Sequence, residues 1–386
     1  MTELQELTVI SLVGKQPMPN LIINLEYLPK EAFFLCTDDV RDVYENLKES
    51  LEPKGIQCRS IPVPPFDYDA NERACRDILT QADYKNVYFN VTGGTKVMAL
   101  AAFAVASQDG EKVIYLDTEG DRILTLSPTK AATPVTVRVD VETFLNAHGL
   151  FIDRTGRALV FMEREGLEKL VIDMGRRAVS IDGLLNKIKN FYDRNDFTTP
   201  INFYFDRDAV HKGNQRNLLE EFVNLNLIKN YQTVGDYSAK FQVVNDTVIR
   251  EFLCGDWIEL YTYLQAQNSG VDDCLVSVYV KDERYEVSNE IDVLFTKDNH
   301  LGVCSCKTRR EARIEGELYS EHIAAYETIS RTLGGIFTKV FLISSEEIPE
   351  SSGTYQRAKS LQAEIINPKQ FPNLYQKLEN IAWKSL

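Results

Sequence analysis

The sequence predicts an α/β protein in three parts: a Rossmann-like parallel sheet, a small winged-helix-like connecting module, and a second α/β core of different order. Three observations predict it. Between Leu7 and about Asp140, five short apolar runs alternate with four helical windows, the pattern of a doubly wound parallel sheet. From about Leu150 to Val248 the order is helix, helix, strand pair. From about Ile249 a helix leads into three strands, a long helix and a further strand. The length of 386 residues agrees, at about 150 residues per domain. The expected boundaries are 1–148, 149–248 and 249–386.

The elements follow in order. The first five strands are read at Leu7–Val13, Ala32–Cys36, Ile56–Val63, Asn86–Val91 and Val113–Leu116. The helical windows lie near Asn20–Leu28, Val40–Leu51, Ala70–Gln81 and Thr95–Gln108. Arg122–Leu126 and Val135–Val139 read as a closing hairpin. In the middle, Gly183–Tyr192 and Gln215–Asn226 have helical period, and Leu227–Lys229 and Ala239–Val244 read as short strands. The last part reads as a helix at Gly255–Gln267, strands at Cys274–Val280, Glu290–Thr296 and Leu301–Cys306, a helix at Glu315–Leu333 and a strand at Lys339–Ser344.

Composition bounds the function. With 44% hydrophobic and 26% charged residues the chain has the balance of a folded globular protein, not a disordered one. No run of about 18 apolar residues is present to span a membrane. Met1–Glu6 is acidic and lacks an apolar export core, so a cytoplasmic location is expected. Seven cysteines, an odd number scattered along the chain, do not form a disulfide framework. The net charge of −14 excludes a general nucleic-acid coat but not an enzyme that gathers basic residues locally.

Open parallel sheets bind ligands at the carboxyl ends of their strands. The loops there are Gly14–Asn20 after the first strand, Thr37–Asp39 after the second, Thr92–Lys96 after the fourth and Asp117–Thr118 after the fifth. Thr92-Gly93-Gly94-Thr95-Lys96 opens directly into a helix. Its glycines let backbone N–H groups approach a ligand, and the helix N-terminus adds partial positive charge. It is neither a Walker A loop nor a GxGxxG turn, so ATP hydrolysis and dinucleotide redox chemistry are disfavoured. The plain reading of a Gly-Gly pair is a tight turn; its place opposite Lys15, Gln16 and Asn20 at the ligand edge favours a cradle. The following helix, Thr95–Ala106, is apolar nearly all round and calls for burial on most sides, within the domain or against a second copy.

In the last part, Asn289-Glu290-Ile291-Asp292 is followed one hairpin later by Cys304-Ser305-Cys306-Lys307. Residues i and i+2 of a strand share a face, so Glu290 pairs with Asp292, and Ser305 with Lys307. Two carboxylates with a lysine on the partner strand can hold a divalent cation and a water beside a phosphate. Glu259 in the preceding helix adds a carboxylate. Without Glu259 and the helical frame, the pair would read as a solvated hairpin face. Lys307, Arg309, Arg310 and Arg313 against Glu311 make a local net charge of +3, which suits a polyanion. Cys304 and Cys306 lack a second ligand pair and read as buried small residues. The four histidines show no ligand spacing, which disfavours a zinc hydrolase.

Asn90–Met98, the Gln16–Asn20 loop and the set Glu259, Asn289–Asp292 and Cys306–Lys307 together resemble the CARF-domain ancillary nucleases of type III CRISPR systems, whose C-terminal domain is a PD-(D/E)xK restriction-endonuclease-like core. The resemblance implies a homodimer that binds cyclic oligoadenylate, usually cyclic tetra-adenylate, and then cleaves DNA, RNA or both with Mn²⁺ or Mg²⁺ in antiviral defence. By position it implies ligand contacts from Gln16, Pro19, Asn20, Thr37, Thr92, Gly93, Gly94, Thr95 and Lys96. It implies a metal at Asp292 and the backbone carbonyl of Cys306, a water positioned by Lys307, and support from Glu259 and Glu290. The sequence departs from that pattern at Ser305, where an acid is expected. Glu317 or Glu321, spaced i, i+4 on the following helix beside Glu315, is expected to replace it. Two other readings follow from the same residues: a non-enzymatic sensor or transcriptional regulator with a degenerate nuclease core, and a ring nuclease that only destroys its cyclic ligand.

Overall fold

The computed structural model describes residues 5–80, 86–156, 158–282, 288–308, 333 and 336–380. Residues 315–332 of the expected helix, with Glu315, Glu317 and Glu321, and the basic run Arg309–Arg313 lie outside the described residues.

The first domain alternates strand and helix: β1 (Gln5–Leu12), α1 (Met18–Tyr27), β2 (Pro29–Cys36), α2 (Arg41–Leu51), β3 (Gln57–Pro62), α3 (Tyr68–Thr80), β4 (Val87–Asn90), α4 (Lys96–Asp109) and β5 (Lys112–Asp117). The hairpin strands β6 (Arg122–Ser127) and β7 (Ala131–Pro134) and helix α5 (Val141–Ala147) complete it. The sheet order is β3-β2-β1-β4-β5-β6-β7, parallel up to β5 and antiparallel beyond. The order reverses between β1 and β4, and the crevice there is where such a sheet takes a ligand. Val9, Ile10, Leu12, Phe34, Phe89 and Val113 fill the sheet's two faces, each at 2% exposure or less.

The expected hairpin strand at Val135–Val139 is corrected: β7 is Ala131–Pro134, and residues 135–140 run outside any strand. Val135 and Val139 are buried, which produces the apolar alternation. Val135 N–H bonds the Asp121 C=O (3.0 Å), and beyond it the backbone is held by side chains. The Glu26 carboxylate accepts from the N–H groups of Thr136 (2.8 Å) and Val137 (2.7 Å), and the Asn299 amide bonds Val139 N–H (3.0 Å) and Val137 C=O (3.1 Å).

The middle begins with β8 (Leu150–Thr155), followed by α6 (Ala158–Met162), α7 (Leu167–Arg176), α8 (Ala178–Asp193), β9 (Ile201–Tyr204), α9 (Ala209–Asn224), β10 (Ile228–Thr233) and β11 (Ser238–Val243). From α8 onward the order is helix, strand, helix, strand pair, with one strand more than expected, and its sheet is ordered β10-β11-β9 with antiparallel pairs. The start of the connecting module differs from expectation. Residues 150–155 belong to the last domain's sheet, because β8 pairs antiparallel with its outer strand.

The last domain comprises α10 (Thr247–Glu251), a π-helical turn (Phe252–Asp256), α11 (Trp257–Asn268), β12 (Asp273–Asp282), β13 (Ser288–Lys297), β14 (His300–Lys307), β15 (Thr338–Ser344), α12 (Gly353–Ser360), β16 (Glu364–Ile366) and α13 (Leu374–Glu379). Its sheet order is β16-β15-β14-β13-β12-β8, antiparallel from β8 to β14 and parallel from β14 to β16. One apolar cluster joins the outer domains: Leu47, Phe144 and Leu145 of α2 and α5 pack with Val278, Ile291, Leu294, Leu301 and Val303. Arg138 adds charge across the same joint, facing Asp121 (3.7 Å), Asp272 (3.8 Å) and Asp298 (3.2 Å). No helix among the described residues is long and apolar enough to cross a membrane.

Candidate ligand cradle and candidate active site

The loops after β1 and β4 meet at the switch point. A Cβ on Gly93 would lie 2.2 Å from the Leu12 carbonyl oxygen, so only glycine permits this approach. Gly94 takes φ +71°, the left-handed turn that feeds α4. Beneath the loops lies a buried amide network. Asn20, 1% exposed, donates to Leu12 C=O (3.0 Å) and accepts from Asn90 Nδ2 (2.9 Å). Asn90 Oδ1 in turn accepts from the backbone N–H (3.1 Å) and hydroxyl (2.7 Å) of Thr92, whose hydroxyl accepts from Leu116 N–H (2.8 Å).

This sorts the expected ligand contacts. Asn20 and Pro19 are buried, and Asn20 and Thr92 use their polar side-chain atoms to hold the loop. Thr95 is the N-cap of α4, accepting from Met98 N–H (3.2 Å). The buried Thr37 hydroxyl donates to Asp39. Gly94 and Lys96 are exposed, and Gln16 and Gly93 half-buried, at the helix N-terminus. The cradle therefore offers backbone N–H groups, a helix dipole and a lysine, a set suited to an anionic ligand. Helix α4 is not buried on most sides: Leu100 is 64% and Phe103 39% exposed, on one face with Lys96.

The second site forms where β13 separates from its neighbours. The ladder with β14 ends at Val293↔Cys304, and on the other side Ser277 leaves the ladder in a left-handed conformation, φ +51°. Asp292 lies in this gap. Its Oδ2 accepts from Cys306 N–H (2.6 Å) and faces Lys307 Nζ at 3.5 Å, both side chains about nine-tenths buried. Ser277 Oγ donates to Glu259 Oε2 at 3.1 Å. Burial and then the Asp292 and Asp256 charges push the Glu259 carboxyl well above its ordinary range. Burial, then Glu251 and Glu290, push Asp256 up to about 6.

Asp292, Lys307, Glu259 and Cys306 lie close together, with Cys306 presenting its N–H to Asp292 and its buried thiol to Thr262 (3.4 Å). Ser305 is buried beside them, and Glu290 is exposed at the rim. Asp256 is the residue the sequence reading passed over; its i, i+3 spacing to Glu259 was the available signal. A cleft of about 640 Å³ opens here, lined by Asp256, Glu259, Ser277 and Glu290, with Arg154 stacked over Tyr279 at 4.1 Å.

The carboxylates Asp256, Glu259, Glu290 and Asp292 outnumber the one lysine, Lys307, that faces them, and oxygen donors of this kind fit a hard divalent cation that keeps waters and takes substrate oxygens. Asp292 and Glu259 would hold it. Among the described residues no three His, Cys, Asp or Glu side chains form a metal-holding group by themselves.

Two family models match the chain: the Card1 CARF domain over residues 8–144 and the Card1-like endonuclease domain over residues 246–385. No curated protein matches. Among solved structures the chain is similar to Can2 from Sulfobacillus thermosulfidooxidans in complex with cyclic tetra-adenylate, at 22% identity and TM-score 0.74, covering 97% of this chain and 99% of that one. It is similar to protein VC1899 from Vibrio cholerae, at 18% identity and TM-score 0.76, covering 97% of each. A type III CRISPR defence DNA nuclease activated by cyclic oligoadenylate matches at 15% identity and TM-score 0.54, over all of this chain and 53% of that one. At these identities the structures show a shared fold. The two family models fall in order on the two sites described above, and the chain belongs to the CARF-domain nucleases, with a Card1 CARF domain followed by a Card1-like endonuclease domain.

Proposed function

We propose that the protein is a metal-dependent nuclease of type III CRISPR defence, switched on by cyclic oligoadenylate, with cyclic tetra-adenylate as activator. The observation that carries the reading is the buried Asp292–Lys307 pair in one chain with a cradle built for an anionic ligand. The Can2 relative, solved with cyclic tetra-adenylate, supports the ring size.

In the cradle, the Gly93 and Gly94 backbone, Lys96 and Gln16 face the ligand's phosphates, while Asn20, Asn90, Thr92 and Thr95 fix the loop from beneath. The exposed Lys96–Leu100–Phe103 face of α4 adjoins the cradle and is the proposed homodimer surface, so that one cyclic ligand lies across two copies. At the second site, Cys306 N–H and Lys307 fix the Asp292 carboxylate; the Lys307 ammonium orients the attacking water and offsets charge developing on the phosphate. A bound Mn²⁺ or Mg²⁺ would lower the pKa of that water and screen the phosphate. The reading places the protein in the cytoplasm with DNA, RNA or both as substrate.

Ser305 favours the second reading, a ligand sensor without catalysis. Calorimetric titration of cyclic tetra-adenylate and a nuclease assay on the same preparation separate the two. Tight binding with ligand-dependent cleavage supports the nuclease. Tight binding without cleavage on plasmid, single-stranded DNA or RNA replaces it with the sensor.

A further inference from the structure

Besides its apolar packing, the connecting module brings a lysine to the elements that carry the second site. Lys189 lies on α8, yet its Nζ donates to Thr308 Oγ1 at 3.0 Å and to the Cys254 carbonyl at 3.1 Å. The Thr308 hydroxyl donates to the same carbonyl at 3.3 Å, closing a triangle. Its two protein corners are placed by the active-site elements. Thr308 directly follows Lys307 at the end of β14, and it is buried. Cys254 lies in the π-helical turn Phe252–Asp256, which carries Asp256 and runs into α11 with Glu259. Such turns interrupt a regular helix and are frequent at functional sites.

The chemistry of the triangle selects an ammonium. Toward Lys189 both partners are acceptors, and an ammonium brings three donors and no acceptor. An aliphatic side chain there would take one donor from each of them and leave the carbonyl with the Thr308 hydroxyl alone, in a pocket lined by Asp182, Leu185, Asn186, Leu253, Trp257 and Ser345.

We propose that Lys189 is a positioning residue of the nuclease site. It ties α8 to both carriers of the site, β14 with Lys307 and the π-turn with Asp256, and so sets the spacing between them. The inference rests on the nuclease reading for its consequence in catalysis, but the tie itself does not.

The test uses the full-length protein with Lys189→Met, Lys189→Arg and Thr308→Val. Amide hydrogen exchange of segments 252–256 and 304–308 reads the tie without reference to activity. Lys189→Met should speed exchange in both segments about tenfold, and Lys189→Arg should restore protection. Cleavage in Mn²⁺ and cyclic tetra-adenylate should fall by up to about 10²-fold for Lys189→Met, with a higher Mn²⁺ requirement and unchanged ligand affinity. Thr308→Val removes the β14 corner of the triangle, leaves the Lys189–Cys254 bond, and serves if Lys189→Met does not fold. Added to Lys189→Met it should cost less than it costs alone. Wild-type exchange in both segments, or fully additive losses in the double variant, overturns the proposal. Altered exchange in a protein whose wild type cleaves nothing keeps the tie and removes the nuclease reading.

Discussion

Replacing Asp256 by asparagine should stabilise the protein above pH 6 and lower its activity. Asp256 sits in the π-turn among Glu251, Glu290 and Asp292, and burial followed by those charges lifts its pKa from 3.8 to about 6. Between these values the folded protein keeps a proton that the unfolded chain has released. Stability therefore falls as pH rises through about 4 to 6, and the cost is complete above 6. Roughly two pKa units correspond to about 3 kcal/mol. Asparagine keeps the shape and removes the charge, so the gain should be nearly full at pH 7.5 and absent at pH 3.5. The assay is equilibrium urea unfolding in metal-free buffer, followed through Trp257, which adjoins Asp256 and is 2% exposed. Saturating Mg²⁺ should then stabilise the wild type more than the variant, since a cation offsets the same repulsion. An unchanged or lower midpoint at pH 7.5, or an equal gain at pH 3.5, would refute the claim that this carboxylate is held in an unfavourable charged cluster.

Other outcomes follow from the same geometry. Asp292→Asn and Lys307→Met should each reduce cleavage by about 10²–10³-fold in a gel assay while calorimetry shows ligand affinity unchanged. Gly93→Ala drives a Cβ into the Leu12 carbonyl oxygen and should cost about 1–3 kcal/mol, read as a lower melting temperature with weakened ligand binding. Leu100→Asp should shift the protein toward monomer in analytical ultracentrifugation, since it charges the exposed apolar face of α4. His148 is held down to about 4 by burial, so it folds neutral. Its contribution is whole above about pH 6.5 and lost as pH falls toward 4, and a His148→Phe variant should lose less stability between pH 7 and 4.5.

The parallel sheet was legible because its central strands are buried on both faces and α2 and α3 are amphipathic; β1 to β5 fall within a few residues of the apolar runs. Residues 135–140 misled because their apolar alternation comes from packing across the domain joint, while their backbone bonds go to Glu26 and Asn299, more than a hundred residues away. The Asp292–Lys307 pair was legible from the hairpin order together with Glu259 on the preceding helix, while the shared face expected for Glu290 and Asp292 leaves Glu290 exposed and Asp292 buried. Lys189 and Ser277 were not legible, since each acquires its role through a contact made only after helices and strands have docked. The reading of Glu317 or Glu321 as a replacement acid lies outside the described residues and stands as an expectation for mutagenesis. In the cradle the sequence pointed to loops that the fold brings together at the switch point, but it could not separate Asn20 and Thr92, which hold the loop, from Gly94 and Lys96, which are exposed.

The most direct test of the central claim is cleavage of plasmid, single-stranded DNA and single-stranded RNA in Mn²⁺, with and without cyclic tetra-adenylate, beside the Asp292→Ala protein. The account predicts cleavage that requires both the cyclic ligand and Asp292. Cleavage that ignores the ligand, survives Asp292→Ala, or fails on every substrate despite tight ligand binding would contradict it.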